Sequence, residues 1–190
     1  MRENDFFKGV AAAAGSDTGL PPVHLWNPPF CGDIDMRIAA DGVWFYNGTP
    51  IGRPAMVRLF SRILRKDEDR YVLVTPVEKV GVQVDDAPFV ATSMTVSGAG
   101  RDQALHFVTN VGDAVEASGE NRIRVELDEK TGAPRPYVHV RAGLEALIAR
   151  AVFYDMFELG VEEMTDEGAM YGVWSAGVFF PFIAAEALAS

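Results

Sequence analysis

The sequence contains a single cysteine, Cys31, so no internal disulfide can form. Its three histidines, His24, His106 and His139, show with Cys31 none of the paired ligand spacings of zinc sites. Basic residues are a minority. Against 27 Asp and Glu there are 17 Lys and Arg, and the resulting net charge of -10 repels phosphate backbones and excludes nucleic acid as a partner. No GxxxxGK[ST] run occurs, and Gly98 and Gly100 lack the third glycine and following helix of a dinucleotide fingerprint. Ser175 precedes Gly177 as in a nucleophile elbow, yet Val173 stands where that motif needs its first glycine. Cys31 is followed by Gly32 and Asp33, and no histidine can be placed beside it as a base. Glu158, Glu162, Glu163, Asp166 and Glu167 lack the alternating ligands and glycine of a calcium loop, so they read as a solvated acidic turn. An export signal is also missing, because Glu3 and Asp5 stand where basic residues are needed and the apolar stretch 10–14 is too short; a cytoplasmic location is expected. The uncharged run 168–185 reaches the length of a membrane span, but Gly172, Ser175, Gly177 and Pro181 interrupt it and no Lys or Arg flanks it. A buried strand with turns is expected there.

What is present is an ordinary globular composition, 48% hydrophobic and 23% charged over 190 residues, enough for one large domain or two small ones. The four prolines Pro21, Pro22, Pro28 and Pro29 predict an extended arm over 1–32. Residues 33–38 alternate Ile34, Met36 and Ile38 against Asp33, Asp35 and Arg37, the period of a half-buried strand. A turn at 39–42, a return strand at 43–46 and the dipeptide Asn47-Gly48 complete a meander. Pro54 opens a helix expected to run to Arg65, burying Met56, Leu59, Phe60 and Ile63. Strands follow at 71–75 and 78–84. Asp85, Asp86, Ala87 and Pro88 then break the pattern, so the first unit is set at 33–86 and the second at 87–190. The second unit is expected to hold strands at 89–97, 103–110, 122–128 and 137–140. In the third of these Ile123, Val125 and Leu127 face a core, and a helix then begins near Gly143 and ends at Gly160. A shift of 89 residues sets Ile51, Leu59 and Ile63 on Val140, Ile148 and Val152, a weak internal repeat. The fold class is therefore α+β: two related, mostly antiparallel sheet-plus-helix units.

Two polar constellations stand out. If the four-residue loop 39–42 sets the hairpin register, Arg37 lies opposite Trp44 and Asp35 opposite Tyr46, a cluster able to receive an anionic or aromatic ligand. A solvated sheet face is the competing reading. Arg58, Arg62 and Arg65 follow one helical stripe on an acidic protein, a docking face for an acidic or phosphate-bearing partner, with an ordinary solvated face as the alternative.

The run Cys31-Gly32-Asp33-Ile34-Asp35-Met36-Arg37-Ile38, continuing through Gly42, Trp44, Tyr46, Gly48, Pro50, Ile51 and Arg53, resembles an uncharacterised bacterial family, domain of unknown function 1285. Residues 73–79 and 86–90 look like the same family's signature, as do Trp174-Ser175-Ala176-Gly177 and Phe179-Phe180-Pro181. The resemblance implies a duplicated α+β architecture, a C-terminal half superficially like pleckstrin-homology folds, and a nucleotide-type ligand between the halves. It implies no established activity or cofactor. From the residues, the expected site joins Asp33, Asp35, Arg37, Trp44, Tyr46, Lys79, Trp174 and Ser175: Arg37 and Lys79 hold an anion, and Trp174 offers a stacking face. A ligand-binding or sensory module in signal transduction is the leading expectation. A protein-interaction scaffold is the alternative, and an enzyme would need a nucleophile and base about 3 Å apart.

Overall fold

Strands dominate the structure, a computed structural model that describes residues 3–13 and 19–188. Among the described residues no helix is long and apolar enough to cross a membrane. The chain divides into two compact units, Met1–Pro88 with Ala142–Leu144 and Phe89–Arg141 with Glu145–Ser190.

The first unit begins with α1 (Glu3–Ala13), a helix inside the stretch expected to be an extended arm; its Val10 is fully buried. Next come β1 (Phe30–Ile38), β2 (Trp44–Tyr46), β3 (Thr49–Pro50), α2 (Pro54–Arg62), β4 (Leu64–Asp67), β5 (Arg70–Val74) and β6 (Lys79–Val84). The sheet runs β3-β2-β1-β6-β5-β4: two three-stranded meanders joined by the parallel pair β1–β6, every other pair being antiparallel. Along β1 the alternation works as expected, with Met36 and Ile38 buried and Asp33, Asp35 and Arg37 exposed. The inner face continues through Leu64, Leu73 and Val80, and α2 covers it by stacking Phe60 on Trp44 at 6.3 Å between ring centroids.

That stack overturns the expected hairpin register. The β1–β2 loop has three residues rather than four: Ala39 N–H donates to Val43 O, Gly42 N–H returns to Ala39 O, and Gly42 takes φ +85°. A turn of that kind closed by a left-handed glycine pairs Ile38 with Trp44 and Arg37 with Phe45, sending Trp44 to the core. Its indole N–H is buried with no acceptor among the described residues, so apolar burial prevails over a lost hydrogen bond. The helix also ends before Arg65. Leu64 pairs with Leu73 and gains more by joining the sheet's buried face than by a further helical turn.

The second unit contains β7 (Phe89–Ser97), β8 (Ala104–Thr109), β9 (Ala114–Glu116), β10 (Ile123–Leu127), β11 (Pro134–Arg141), β12 (Leu144–Ile148), α3 (Arg150–Glu158), β13 (Val161–Thr165), β14 (Gly168–Ser175) and β15 (Val178–Ala184). Its larger sheet runs β10-β11-β12-β7-β8-β9, again two meanders joined by a parallel pair, here β7–β12. The duplication therefore lies in strand order. The helices are not equivalent, because α2 separates the two meanders whereas α3 follows the second, so the 89-residue shift sets α2 on β12. Residues 143–148, expected as helix, form a strand because Ala142 and Gly143 both adopt positive φ and reverse the chain in a tight turn. Ile123 is buried, but Leu127 is 59% exposed, so the apolar face of β10 runs out of core. The uncharged run 168–185 forms the hairpin β14–β15, as expected, turning at Ala176 and Gly177. The acidic stretch is a turn only at Asp166 and Glu167; Glu162 and Glu163 lie on β13, which pairs with β14 and sets Glu162 opposite Tyr171. Gly160 does end α3, and a Cβ there would lie 2.4 Å from the Tyr171 ring.

The register makes a strong demand on Trp44. Its replacement by Ala is expected to destabilise the first unit by about 3–5 kcal/mol in guanidinium unfolding, as for a buried aromatic. A loss below about 0.5 kcal/mol would return Trp44 to the solvent face.

Candidate functional site

Directly opposed residues share a face, so the ladders of the first sheet assemble one outer surface. It carries Arg65 and Asp67 from β4, Arg70 and Val72 from β5, Lys79, Gly81 and Gln83 from β6, Phe30, Asp33 and Arg37 from β1, and Phe45 from β2. Asp67 is its electrostatic centre. It accepts Arg65 Nε at 2.5 Å and Nη2 at 2.9 Å, and Lys79 Nζ at 2.8 Å. The hydrogen bonds from Arg65 outweigh partial desolvation and, with Lys79, hold the Asp67 carboxyl down at about 2. Arg65 also donates Nη1 to the Val23 and Trp26 carbonyls at 2.7 Å, so the same guanidinium ties down the segment that precedes β1.

Beside this cluster Arg70 Nη1 meets Asp33 Oδ1 at 2.8 Å while its guanidinium lies 4.9 Å from the Phe30 ring centroid. The pair needs Gly81. A Cβ at that position would lie 1.9 Å from Asp33 Oδ1, so the missing side chain is the floor on which the carboxylate rests. Further along, Arg37 grips Asp85 through Nη2 at 2.7 Å and Nε at 2.9 Å, Gln83 adds a bond to Asp85 at 3.0 Å, and Phe45 lies beneath the guanidinium. The Arg37 hydrogen bond lowers the Asp85 pKa. Two depressions lie on this surface. One of about 910 Å³ is lined by Phe30, Lys66, Asp67, Glu68, Asp69, Arg70, Val72 and Lys79. Another of about 400 Å³ is lined by Asp33, Arg70, Gly81 and Gln83.

Of the residues expected in a site, Lys79 lines the larger depression, Asp33 the smaller, and Arg37 belongs to the same surface but is closed by Asp85. Asp35 is exposed on β1, whereas Trp44 and Tyr46 belong to the opposite face, paired with Ile38 and Met36. Trp174 and Ser175 lie in the second unit. Arg101 covers the Trp174 ring at 4.9 Å and donates Nη2 to both carboxylate oxygens of Glu163, which also accepts the Trp174 indole N–H at 3.0 Å. Ser175 is fully buried, donating to Ala117 O at 2.7 Å and accepting Leu105 N–H at 2.9 Å; it is a structural hydroxyl. The arginine stripe does not form. Arg58 stays exposed on α2, Arg62 donates to Gly19 O, and Arg65 has turned into the sheet.

Sequence reasoning missed Phe30, Asp67 and Arg70. Their signal was the alternation of Leu64, Arg65, Lys66 and Asp67, a short strand hidden by its resemblance to a last helical turn. It also missed a nucleophile and base in hydrogen-bond reach: on the second unit Ser97 Oγ lies 2.9 Å from His106 Nε2, and His106 Nδ1 lies 3.6 Å from Glu116 Oε2. These groups sit on an exposed sheet face, where bulk water rather than fixed donors would meet charge developing on a substrate.

The twin meanders, each joined by a parallel pair, define a duplicated α+β protein of two sheet-plus-helix units. The chain belongs to the DUF1285 family: the model of that family's N-terminal domain of unknown function matches residues 21–87, and that of its C-terminal domain matches residues 88–182. It is similar to the crystal structure of a DUF1285 family protein from Silicibacter pomeroyi DSS-3, with 59% identity, a TM-score of 0.87, and coverage of 96% of this chain and 98% of that one. A DUF1285 family protein from Shewanella baltica OS155 is similar at 28% identity and a TM-score of 0.50, over 64% of this chain and 89% of that one. No curated protein matches this chain.

A carboxylate whose pKa is depressed on folding stabilises the protein above its unfolded value, near 3.8 for Asp67, and loses that contribution as pH falls toward its folded value of about 2. The stability difference between the parent and Asp67→Asn should therefore be constant above about pH 5 and shrink as pH falls through 4 towards 2, read by denaturant unfolding at each pH; a gap independent of pH would dissociate Asp67 from its two cations. Ser97 is expected to resist fluorophosphonate labelling. Labelling abolished by His106→Ala would instead make this pair a hydrolytic centre.

Proposed function

We propose that the protein is a ligand-binding, sensory module whose first unit takes a small anionic molecule of nucleotide type on the outer face of its sheet. The observation that carries this reading is the convergence of Arg70 and Lys79 with the exposed Phe30 ring on one depression of about 910 Å³. On a chain with net charge of -10, two cations beside an exposed aromatic ring favour an anion with a planar part. Asp67 does not cancel their charge. Asp67 is already met twice by Arg65, so Lys79 is its second cation and can turn to a phosphate without leaving the carboxylate bare. A base lies against Phe30 beside Arg70, whose guanidinium already favours a ring face. Trp174 and Ser175 are not needed for this reading.

The sensory part follows from Arg65. It binds Asp67 with one edge and two carbonyls of the segment preceding β1 with another nitrogen, so a ligand that draws Lys79 from Asp67 changes the charge balance at the anchor of that segment.

Calorimetric titration with ATP, AMP and inorganic phosphate tests the reading. Binding of at least one is expected, with Lys79→Ala and Arg70→Ala each weakening it about ten- to a hundredfold, the range of a charge-assisted hydrogen bond. Arg37→Ala, whose guanidinium Asp85 already closes, should stay within about twofold of the parent. No binding, or equal affinity in the parent, Lys79→Ala and Arg70→Ala with folding checked by circular dichroism, removes it.

A further inference from the structure

The second unit holds a cavity whose wall carries opposite charges side by side. About 220 Å³ in volume, it lies where the 3-10 turn Gly100–Asp102 meets β13 and β14, with Leu159, Val161 and the Trp174 ring as apolar walls and Arg101, Gln103 and Glu163 as polar groups. The backbone fixes these groups. Gln103 N–H donates to Gly100 O and Ala176 N–H donates to Gln103 O, which ties the turn to the β14–β15 hairpin. A Cβ on Gly98 would lie 2.7 Å from Asp102 O, so the turn folds back on a position that suits glycine, at φ +72°.

Two of the polar groups keep hydrogen-bonding capacity that the chain does not use. Gln103 is 5% exposed, and because the Trp174 carbonyl can only accept, the amide turns Nε2 to it at 2.9 Å; Oε1 then meets no donor among the described residues. A buried acceptor in that state favours a ligand that brings a donor. Arg101 approaches Glu163 with Nη2 alone, at 2.7 and 2.8 Å, so its Nε and Nη1 donate to nothing among the described residues. Hydrogen bonds from Arg101 first and the Trp174 indole next hold the Glu163 carboxyl below its usual range. Glu163 is therefore ionised, and its Oε2, which accepts Arg101 only, has room for one more donor.

These groups define what would fit. The ligand must present an acceptor to Arg101 and a donor to Gln103 and Glu163, and since guanidinium and carboxylate lie 2.7 Å apart the two must be neighbours on one small molecule. An α-amino acid has that form, with a carboxylate and an ammonium on adjacent positions and a side chain beyond. The apolar walls favour a hydrocarbon side chain. A volume below the roughly 300 Å³ at which drug-sized sites begin admits a single amino acid rather than a peptide or nucleotide.

We infer that this cavity binds a free apolar α-amino acid, its carboxylate on Arg101, its ammonium between Gln103 Oε1 and Glu163, and its side chain against Leu159, Val161 and Trp174. The site belongs to the second unit alone and is independent of the anion-binding reading of the first.

The probes are L-leucine, leucinamide, which lacks the carboxylate, and 4-methylpentanoate, which lacks the ammonium, each titrated calorimetrically into the full chain. Leucine is expected to bind about tenfold or more tighter than the other two, the range of a charge-assisted hydrogen bond. Arg101 is 68% exposed, so Arg101→Gln leaves the core untouched; it should weaken leucine about tenfold or more and keep leucinamide within about twofold of the parent. Glu163→Gln, which still accepts the Trp174 indole N–H, should weaken leucine by as much while 4-methylpentanoate binds as in the parent or tighter. Circular dichroism checks the fold of both variants. Either analogue binding as tightly as leucine, leucine affinity undiminished in either variant, or no leucine binding at millimolar concentration would each overturn the assignment.

Discussion

Each large sheet depends on one parallel strand pair, β1 with β6 and β7 with β12. A parallel pair cannot be closed by a tight turn, so its partners must come from the two ends of a long excursion. In both units the excursion contains the remaining four strands, two on each side of the central pair. Once β1 lies against β6, the outer face of the first sheet has its membership settled: Asp33 faces Gly81, Phe30 faces Lys79, and Arg37 faces Gln83. The order of the hairpins then follows from short connections. The same pairing in the second unit shows that the repeated feature is the path of the strands, while α2 and α3 attach at different points of that path.

On the outer face of the first sheet charge is distributed in linked pairs rather than in a uniform patch. Arg65 and Lys79 share Asp67, Arg70 meets Asp33, and Arg37 meets Asp85. Among them the exposed Arg70–Asp33 pair contributes little to stability. The consequence of the pairs is positional: each carboxylate holds a cation at a defined place beside a depression. Gly81 shows how backbone and charge cooperate, since removing one side chain from β6 makes space for Asp33 and so orients Arg70 over Phe30.

Much of this organisation could be read from the sequence. The alternation of Met36 and Ile38 against Asp33, Asp35 and Arg37, the strands around β5, β6 and β7, the start of α2 at Pro54 and the end of α3 at Gly160 all follow from local periodicity and local sterics. Those are properties of neighbouring residues, and neighbours are what a sequence displays. Lys79 and Asp33 were also legible as members of a polar strand face, because alternation assigns a side to each.

Tertiary structure decided whatever depended on a choice between two locally acceptable states. A loop of three rather than four residues moved Trp44 from the solvent face to the core, because stacking on Phe60 buries more apolar surface than a place beside Arg37 could. Leu64 left a helix it could have extended because it pairs with Leu73 across the β4–β5 hairpin, and Leu144 to Ile148 became strand against β7, distant in sequence. The meeting of Arg65, Asp67 and Lys79 likewise depends on which strands lie side by side. The sequence by itself determined which side of each short element is apolar. Only the folded chain determined which elements those sides meet, since burial energy accrues to the whole packed face and outweighs the small local preferences of any single turn.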